Sequence, residues 1–569
     1  MGVKRAVDIV LEMAQKKGGK TFYTFGPLIH NPQTIQLLEK RGIIPVRHVD
    51  EIDSADKDAT IVIRAHGISP DERKKIKERK IRIIDATCPK VALVQAIIKK
   101  HARQGHHVII VGDPEHPEVN GLLGYAYGKG CVVSCDKDVA CLQDLDQVCV
   151  VAQTTQNMKE YARIVALIKA KFPKTTVFDT ICDSTEKRQT EVKELSSEMD
   201  IMVIVGGRNS ANTMRLATLS QSGGTPTYHI ETADELKQIK LKHNDRIGVS
   251  AGASTPNWII DRVVENVKLI QDKNQVRFSR LGNLWAFSVR TDIYASLGAG
   301  CLSFASMLLQ KLHVDIAPIL TTALFVFSMH TLNRVINPRT SSILGSFREV
   351  SYQKYTRLYM LLAVASMAAS LVLSIMTGIA SFVLLLCISI LGVLYNAKIL
   401  PESWRFESLK DLPGSKNVFM AAAWASVAVV LPQMKSFFPL KPEMIIAFLF
   451  VFSVVFIRSA MSDMLDIQSD KLIGRETIPV LIGKGNTQKL LKGMWLILII
   501  ILLVSYPLGW SSSVNYALLT CLFYIWICFK LCDRRTGLSG VALEGLLETS
   551  YIIAGISAFF WLLWLKVVG

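Results

Sequence analysis

The sequence predicts an α/β domain of three lobes around a pseudo-threefold axis, followed by an all-α transmembrane domain of nine helices. Three observations predict it. The composition changes near residue 275: before it the chain is mixed, charged and glycine-punctuated, and after it apolar runs of about 20 residues dominate, each long enough to cross a bilayer. The first part repeats itself at intervals of about 90 residues. Each repeat alternates apolar strands with amphipathic helices, the pattern of parallel α/β units. The expected layout is 1–275 for the first domain, with lobes at about 1–85, 86–180 and 181–275, then a linker and interfacial segment at 276–290, and 291–569 for the membrane domain.

Bulk composition agrees. A chain of 569 residues exceeds one ordinary domain. A mean hydropathy of +0.30 with 50% hydrophobic residues does not suit a purely soluble protein. The formal charge of +17 fits basic cytoplasmic loops of a membrane protein. No aromatic-interleaved basic patch or nucleic-acid motif is present, so nucleic acid is not an expected partner. The N-terminus has no apolar signal segment. Eleven mostly scattered cysteines, an odd number, argue against a secreted disulfide framework. A reducing compartment with metal or cluster ligation fits them better.

The stretch Asp85-Ala86-Thr87-Cys88-Pro89-Lys90 organises the first half. An apolar run ends at Ile84, a cysteine follows, and a helix pattern begins (Val91, Val94, Ile97, Ile98). The strand His107–Val111 leads into the loop Gly112-Asp113-Pro114-Glu115-His116-Pro117-Glu118. Around Cys182 the arrangement recurs, with a helix through Val192 and Leu195, the strand Ile201–Val205 and the loop 206–212. The opening helix (Val3, Ala6, Val7, Val10, Leu11) leads to the strand Thr21–Phe25 and the loop 26–32. Each unit closes with a further strand and a small-polar turn, at 61–67, 148–155 and 247–254. Ligands of parallel sheets bind beyond the carboxyl ends of the strands, where all these loops sit.

Three lobes would bring the loops to one cavity. They offer His30, His66, His116, Thr154, Ser210, Asn212 and Ser254, a set that can satisfy a diphosphate. Glu118 follows His116 on the same loop and is the candidate proton donor. Cys88 and Cys182 come from two lobes, and the repeat predicts a third cysteine just before Met1. Three such thiolates would hold an iron–sulfur cluster with one iron open to substrate. Taken singly, such a cysteine is usually a small buried hydrophobe, and His-Pro-Glu is usually a turn. Repetition in phase is what separates them from that reading. Cys131, Cys135, Cys141 and Cys149 lack a zinc-like pairing and read as structural.

The segments Ala86-Thr87-Cys88-Pro89, His116-Pro117-Glu118-Val119, Gln153-Thr154-Thr155, Ile181-Cys182, Asn209-Ser210-Ala211-Asn212 and Ala251-Gly252-Ala253-Ser254 resemble 4-hydroxy-3-methylbut-2-enyl diphosphate reductase of the LytB/IspH type, across residues 1–270 and in order. The resemblance implies a three-lobed fold around a [4Fe–4S] cluster and reductive removal of the substrate hydroxyl, giving isopentenyl and dimethylallyl diphosphates. It makes Cys88 and Cys182 cluster ligands. It sets His30, His66, His116, Ser210, Asn212 and Ser254 around the diphosphate, with Thr154 and Glu118 near the departing hydroxyl. It also implies an electron donor such as a ferredoxin or flavodoxin. Two departures stand out. Ala211 occupies a position where the family commonly has serine. The family's opening Gly-Phe-Cys-X-Gly-Val segment is entered here only at the X, so Met1 reads as an internal methionine and the third ligand as missing from the chain as written.

In the second half a linker rich in Arg and Asn spans 274–283, and residues 285–290 read as an interfacial approach to the membrane. Spans are expected near 291–310, 314–333, 357–376, 378–397, 417–433, 443–462, 493–510, 514–532 and 547–567. Loops after even-numbered spans are basic (Arg339, Arg348, Lys398, Arg405, Lys471, Arg475, Arg534, Arg535), whereas those after odd spans hold only Lys311, Lys435 and Lys441. The positive-inside rule then places the even loops and the N-terminal domain in the cytoplasm, with the protein multi-pass in the cytoplasmic (inner) membrane. After the sixth span, Asp463, Asp466 and Asp470 are spaced for one helix face. Carboxylates at a membrane helix end are costly and usually functional, and these could hold Mg²⁺ on a diphosphate. With Lys471, Gly474-Arg475-Glu476-Thr477-Ile478-Pro479-Val480 and Tyr395-Asn396-Ala397-Lys398, the region 290–569 resembles the UbiA family of intramembrane prenyltransferases. That family's other Asp-rich motif would fall at Asn333–Ser341, where its carboxylate positions are Arg334, Asn337 and Ser341. The alternative to a reductase is therefore a UbiA-type prenyltransferase or a membrane protein that binds a prenyl diphosphate without turnover.

Overall fold

The computed structural model describes every residue except 1, 17–21, 29–31, 41, 53–58, 243, 273–279, 337–351, 353–354, 396–408, 435–440, 468–469, 472–474, 534–539 and 569. The chain divides into two units, 1–274 and 275–569.

The first unit holds three parallel sheets. β1 (Phe22–Phe25), β2 (Ile43–Val46), β3 (Thr60–Ile63) and β4 (Arg82–Asp85) make the first, in the order β2-β1-β3-β4. β5 (His107–Val111), β6 (Gly130–Val133), β7 (Val148–Ala152) and β8 (Thr175–Val177) make the second, in the order β6-β5-β7-β8. β9 (Ile201–Val205), β10 (Thr227–Ile230) and β11 (Ile247–Ala251) make the third, in the order β10-β9-β11. Strands covered on both faces read as unbroken apolar runs. β7 and β9 are buried at every position, and β5 at all but its first. Edge strands such as β4 and β8 are half-exposed and mixed in composition; only the short run Ile83-Ile84 announces β4 and none announces β8.

The helices follow from their caps. α1 is Gly2–Lys16 and α2 is Pro32–Glu39. α3 (Pro70–Glu78) starts on a capping box, with Ser69 Oγ accepting from the Glu72 N–H at 3.3 Å and Glu72 Oε2 from the Ser69 N–H at 3.1 Å. α4 (Pro89–Arg103) and α5 (Pro117–Leu123) each place proline in the first turn, where the missing N–H costs nothing. α6 (Asp136–Ala140), α7 (Met158–Lys171), α8 (Asp183–Glu198), α9 (Ala211–Ser222) and α10 (Asn257–Asp272) complete the unit.

The second unit is helical. Seven of its described helices are long and apolar enough to cross a membrane: Ile316–Ile336, Thr356–Thr377, Ser415–Gln433, Pro442–Leu465, Lys484–Ser505, Val514–Cys532 and Gly540–Val567. An eighth counts if Leu284–Arg290 and Ile293–Leu309, bent by 81°, are one span. Ile379–Leu394 is apolar but shorter. The expected linker is helical from Arg280 onward, so it is not an irregular tether over its last part. At the bend Asp292 takes a left-handed backbone (φ 59°). Residues Ser426–Val430 form a π-helical turn, which releases backbone carbonyls. Ser306 Oγ donates to the Ala428 carbonyl at 2.6 Å and Gln310 Nε2 to that of Val429 at 3.2 Å, satisfying them where no water reaches.

Candidate active site

Four helix N-caps of the first unit carry candidate residues: Cys88 on α4, His116 on α5, Cys182 on α8 and Ser210 on α9. A helix start presents free N–H groups and partial positive charge, which favour thiolates and phosphates. Neither cysteine spends its thiol on capping. Both are free and half-buried. Burial pushes the Cys182 thiol up, but hydrogen bonds from the Ser184 hydroxyl and N–H and from the Thr185 N–H outweigh it and hold the thiol below its ordinary value. Lys90 Nζ reaches Asp183 Oδ1 at 3.4 Å, so the starts of α4 and α8 adjoin. Two free thiols on adjoining helix N-termini fit thiolate ligation of an iron–sulfur group. Among the described residues, no three His, Cys, Asp or Glu side chains gather as a metal site.

Backbone bonds tie each cysteine to a functional loop. The Cys88 N–H donates to the Ala65 carbonyl at 3.0 Å, beside His66, and the Cys182 N–H to the Thr154 carbonyl at 2.9 Å. Gly67 (φ +72°) turns the first of these loops, and a Cβ there would overlap the Gln95 amide.

Glu118, Thr154 and His116 come together. Glu118 is 1% exposed. Its Oε1 accepts from the Thr154 N–H at 2.7 Å and its Oε2 from the Thr154 hydroxyl at 2.9 Å. Burial pushes the carboxyl above the usual range; the two Thr154 bonds and the nearby Arg215 charge pull it back only in part. His116 Nδ1 accepts from the Glu118 N–H at 3.1 Å, and the His66 ring stands edge-on to His116 at 5.3 Å. Asn212 is 7% exposed, and neither its amide nitrogen nor its oxygen has a partner among the described residues. A buried polar group of this kind asks for a ligand. Ser210 is buried beside it, and Ser254 is half-buried in the turn after β11. His30 lies outside the described residues.

Reading the sequence for function missed Arg215 and gave no role to Gln153 and Thr155 of the quoted Gln153-Thr154-Thr155 segment; the three bond to one another around Thr154. The available signal was spacing: Arg215 lies one helical turn after Asn212 on α9. Cys131, Cys135, Cys141 and Cys149 are free thiols, and burial on β7 pushes that of Cys149 up to about 12.

In the membrane unit the acidic motif differs from expectation. The helix Pro442–Leu465 ends with Asp466 as its cap, so Asp463, Asp466 and Asp470 do not share one continuous helix face. The Asp466 N–H folds back on the Asp463 carbonyl at 3.2 Å and ends the regular ladder. Asp463 is 2% exposed. Its Oδ1 accepts from Lys416 Nζ at 2.5 Å, while its Oδ2 and both amide atoms of the fully buried Asn417 have no partner among the described residues. Asp470 Oδ2 accepts from the Thr477 hydroxyl at 3.3 Å. Arg334 donates through Nε and a terminal nitrogen to the two oxygens of Asp292, at 2.6 and 3.0 Å, and the Tyr352 hydroxyl adds a bond at 2.9 Å. Arg458 pairs with Glu548. Among the described residues these carboxylates do not gather as a metal site, and Lys416 already occupies one of the two Asp463 oxygens.

Fold and site together define a three-lobed parallel α/β enzyme domain joined to a multi-pass membrane domain. The family model described as LytB protein matches residues 1–268, and that described as UbiA prenyltransferase family matches residues 294–540. The 4-hydroxy-3-methylbut-2-enyl diphosphate reductase of Geobacter sp. (strain M21) is 42% identical over 275 residues, which are 48% of this chain and 95% of that protein. Among solved structures, the E-1-hydroxy-2-methyl-but-2-enyl-4-diphosphate reductase from Plasmodium falciparum is 29% identical with a TM-score of 0.44, covering 46% of this chain and 83% of that one. The apo structure of a UbiA homolog from Aeropyrum pernix K1 is 13% identical with a TM-score of 0.38, covering 47% of this chain and 97% of that one. The chain belongs to the LytB family of 4-hydroxy-3-methylbut-2-enyl diphosphate reductases and carries a UbiA prenyltransferase domain behind it.

Proposed function

We propose that the first unit reduces (E)-4-hydroxy-3-methylbut-2-enyl diphosphate to isopentenyl and dimethylallyl diphosphate in the non-mevalonate pathway. Two electrons and two protons enter, the allylic C–O bond breaks, and the hydroxyl leaves as water. The observation that carries the residue assignment is Glu118: a buried carboxyl, held by two bonds from Thr154 and pushed toward its protonated form, is suited to give a proton to a departing hydroxyl. The unpartnered Asn212 amide and Ser210 at the start of α9, with His66, His116, Ser254 and His30, take the diphosphate. Cys88 and Cys182 would supply thiolates to a [4Fe–4S] cluster, and that group supplies the electrons one at a time. The Thr154 hydroxyl orients the carboxyl, and the buried setting keeps water from competing for its proton. An external donor such as a ferredoxin or flavodoxin delivers the electrons, and the basic loops after even-numbered spans support a cytoplasmic location for this unit at the inner membrane.

For the membrane unit we infer a domain that holds a prenyl diphosphate. Its support is the unpartnered Asn417 amide and Asp463 oxygen, buried polar atoms that a bound ligand satisfies.

Anaerobic incubation of the full chain with a chemical reductant and the hydroxylated substrate tests the first reading. Formation of both five-carbon diphosphates supports it. Unchanged substrate with iron and acid-labile sulfide retained overturns it.

A further inference from the structure

Arg215 belongs to lobe three, on α9, one turn beyond Asn212. It reaches into lobe two. One terminal nitrogen donates to the Thr155 hydroxyl at 3.2 Å and the other to Gln153 Oε1 at 3.4 Å. Gln153 is fully buried, its Oε1 also accepts from the Asp113 N–H at 3.0 Å, and its Nε2 donates to Thr155 Oγ1 at 3.1 Å. These bonds join three segments: the loop that leads to His116 and Glu118, the loop 153–155, and the helix that starts at the diphosphate candidates. Thr154 sits between the two braced residues. Its N–H and hydroxyl hold Glu118, and its carbonyl anchors the Cys182 N–H.

We propose that Arg215 is a positioning residue that braces the 153–155 loop from the neighbouring lobe, so that Thr154 holds the Glu118 carboxyl in its proton-donating pose. The inference rests on the reductase reading above. An ordinary structural arginine pairs with a carboxylate or points to water. Arg215 is half-buried, and among the described residues its hydrogen bonds go only to uncharged acceptors, with no carboxylate at ion-pair distance. Holding a guanidinium that way costs desolvation that a salt bridge would offset. What the arrangement gains is geometry at Thr154, and a positive charge near Glu118. Among the described residues the charge acting on this carboxyl is that of Arg215 from α9; His116 and Asp113 lie on its own loop, and His66 stands edge-on to His116. The negative charges acting on Arg215 are Glu160 on α7, Glu118 and Asp113.

The test compares Arg215→Met and Arg215→Lys in the full chain. Two readouts are needed. The first is an infrared pH titration of the Glu118 carboxyl band, assigned by its loss in Glu118→Gln, which requires neither turnover nor substrate. The second is the pH dependence of kcat and KM in anaerobic turnover. With the brace removed, Arg215→Met titrates at higher pH because a neighbouring positive charge is gone. Its kcat falls about tenfold while KM stays within about twofold, and Arg215→Lys recovers part of both. An unchanged titration in Arg215→Met overturns the inference. So does a rise in KM at constant kcat, which assigns Arg215 to diphosphate binding instead. If the wild-type chain retains iron and acid-labile sulfide and does not turn over, the reductase reading fails, and the infrared titration still decides whether Arg215 acts on Glu118.

Discussion

Both halves of the chain bury carboxylates, and they treat them in opposite ways. In the first unit Glu118 is held by neutral donors, the N–H and hydroxyl of Thr154, and it has no cation at ion-pair distance among the described residues. In the membrane unit Asp292, Asp463 and Glu548 each meet a cation of the chain itself: Arg334, Lys416 and Arg458. A carboxyl held by neutral donors in a dry site can keep its proton and give it up during a reaction. A carboxylate paired with arginine or lysine has its charge met by that partner, and the pair ties helices together. The difference supports Glu118 as the proton donor and reads the pairs of Asp292, Asp463 and Glu548 as structural.

The largest effect that sharpens this comparison is on turnover. Glu118→Gln lowers kcat by about 10²–10⁴-fold, whereas Asp463→Asn leaves the reductase rate unchanged; steady-state assays on the two variants check this. Thiol reactivity comes next. Cys182 lies below its ordinary value and Cys149 is pushed up to about 12, so alkylation of the folded, cluster-free chain differs between them by at least about a thousandfold, read by peptide mass mapping over time. Equal labelling rates would break the assignment of one as reactive and the other as core. In the membrane unit, Glu548→Ala removes the carboxylate paired with Arg458 and lowers stability by about 3–5 kcal/mol, while replacing both with methionine recovers most of it. Thermal unfolding in detergent measures that pair, and a single variant as stable as wild type would show the ion pair to be idle. The smallest effect is Ser69→Ala, which removes the cap of α3 and costs about 1 kcal/mol without touching activity.

The same contrast explains what was legible in the sequence. Strands β5, β7 and β9 are buried on both faces and show as apolar runs, so the lobes and the loops at their ends could be placed from pattern alone. Glu118 and Thr154 were visible at the ends of β5 and β7, and Cys88 and Cys182 because they recur in phase at the starts of α4 and α8. The edge strand β8 was not visible and β4 showed only as the short run Ile83-Ile84, because their faces are mixed. Arg215 was hidden for another reason: an arginine on a helix reads as solvated, and only tertiary packing turns it toward another lobe's loop. Asp292 was hidden likewise, since its partner Arg334 lies 42 residues away. The Asp463–Asp470 spacing misled, because helical periodicity was extended past Leu465, where the helix stops.

The most direct test of the account is the pH–rate profile of the full chain on (E)-4-hydroxy-3-methylbut-2-enyl diphosphate, measured anaerobically beside Glu118→Gln. A raised carboxyl acting as proton donor is active while protonated, so the wild-type rate falls as pH rises through a limb above the usual carboxylate range. The variant loses both that limb and most of the rate. A variant that turns over at the wild-type rate with the same profile would contradict the assignment of Glu118 as the donor.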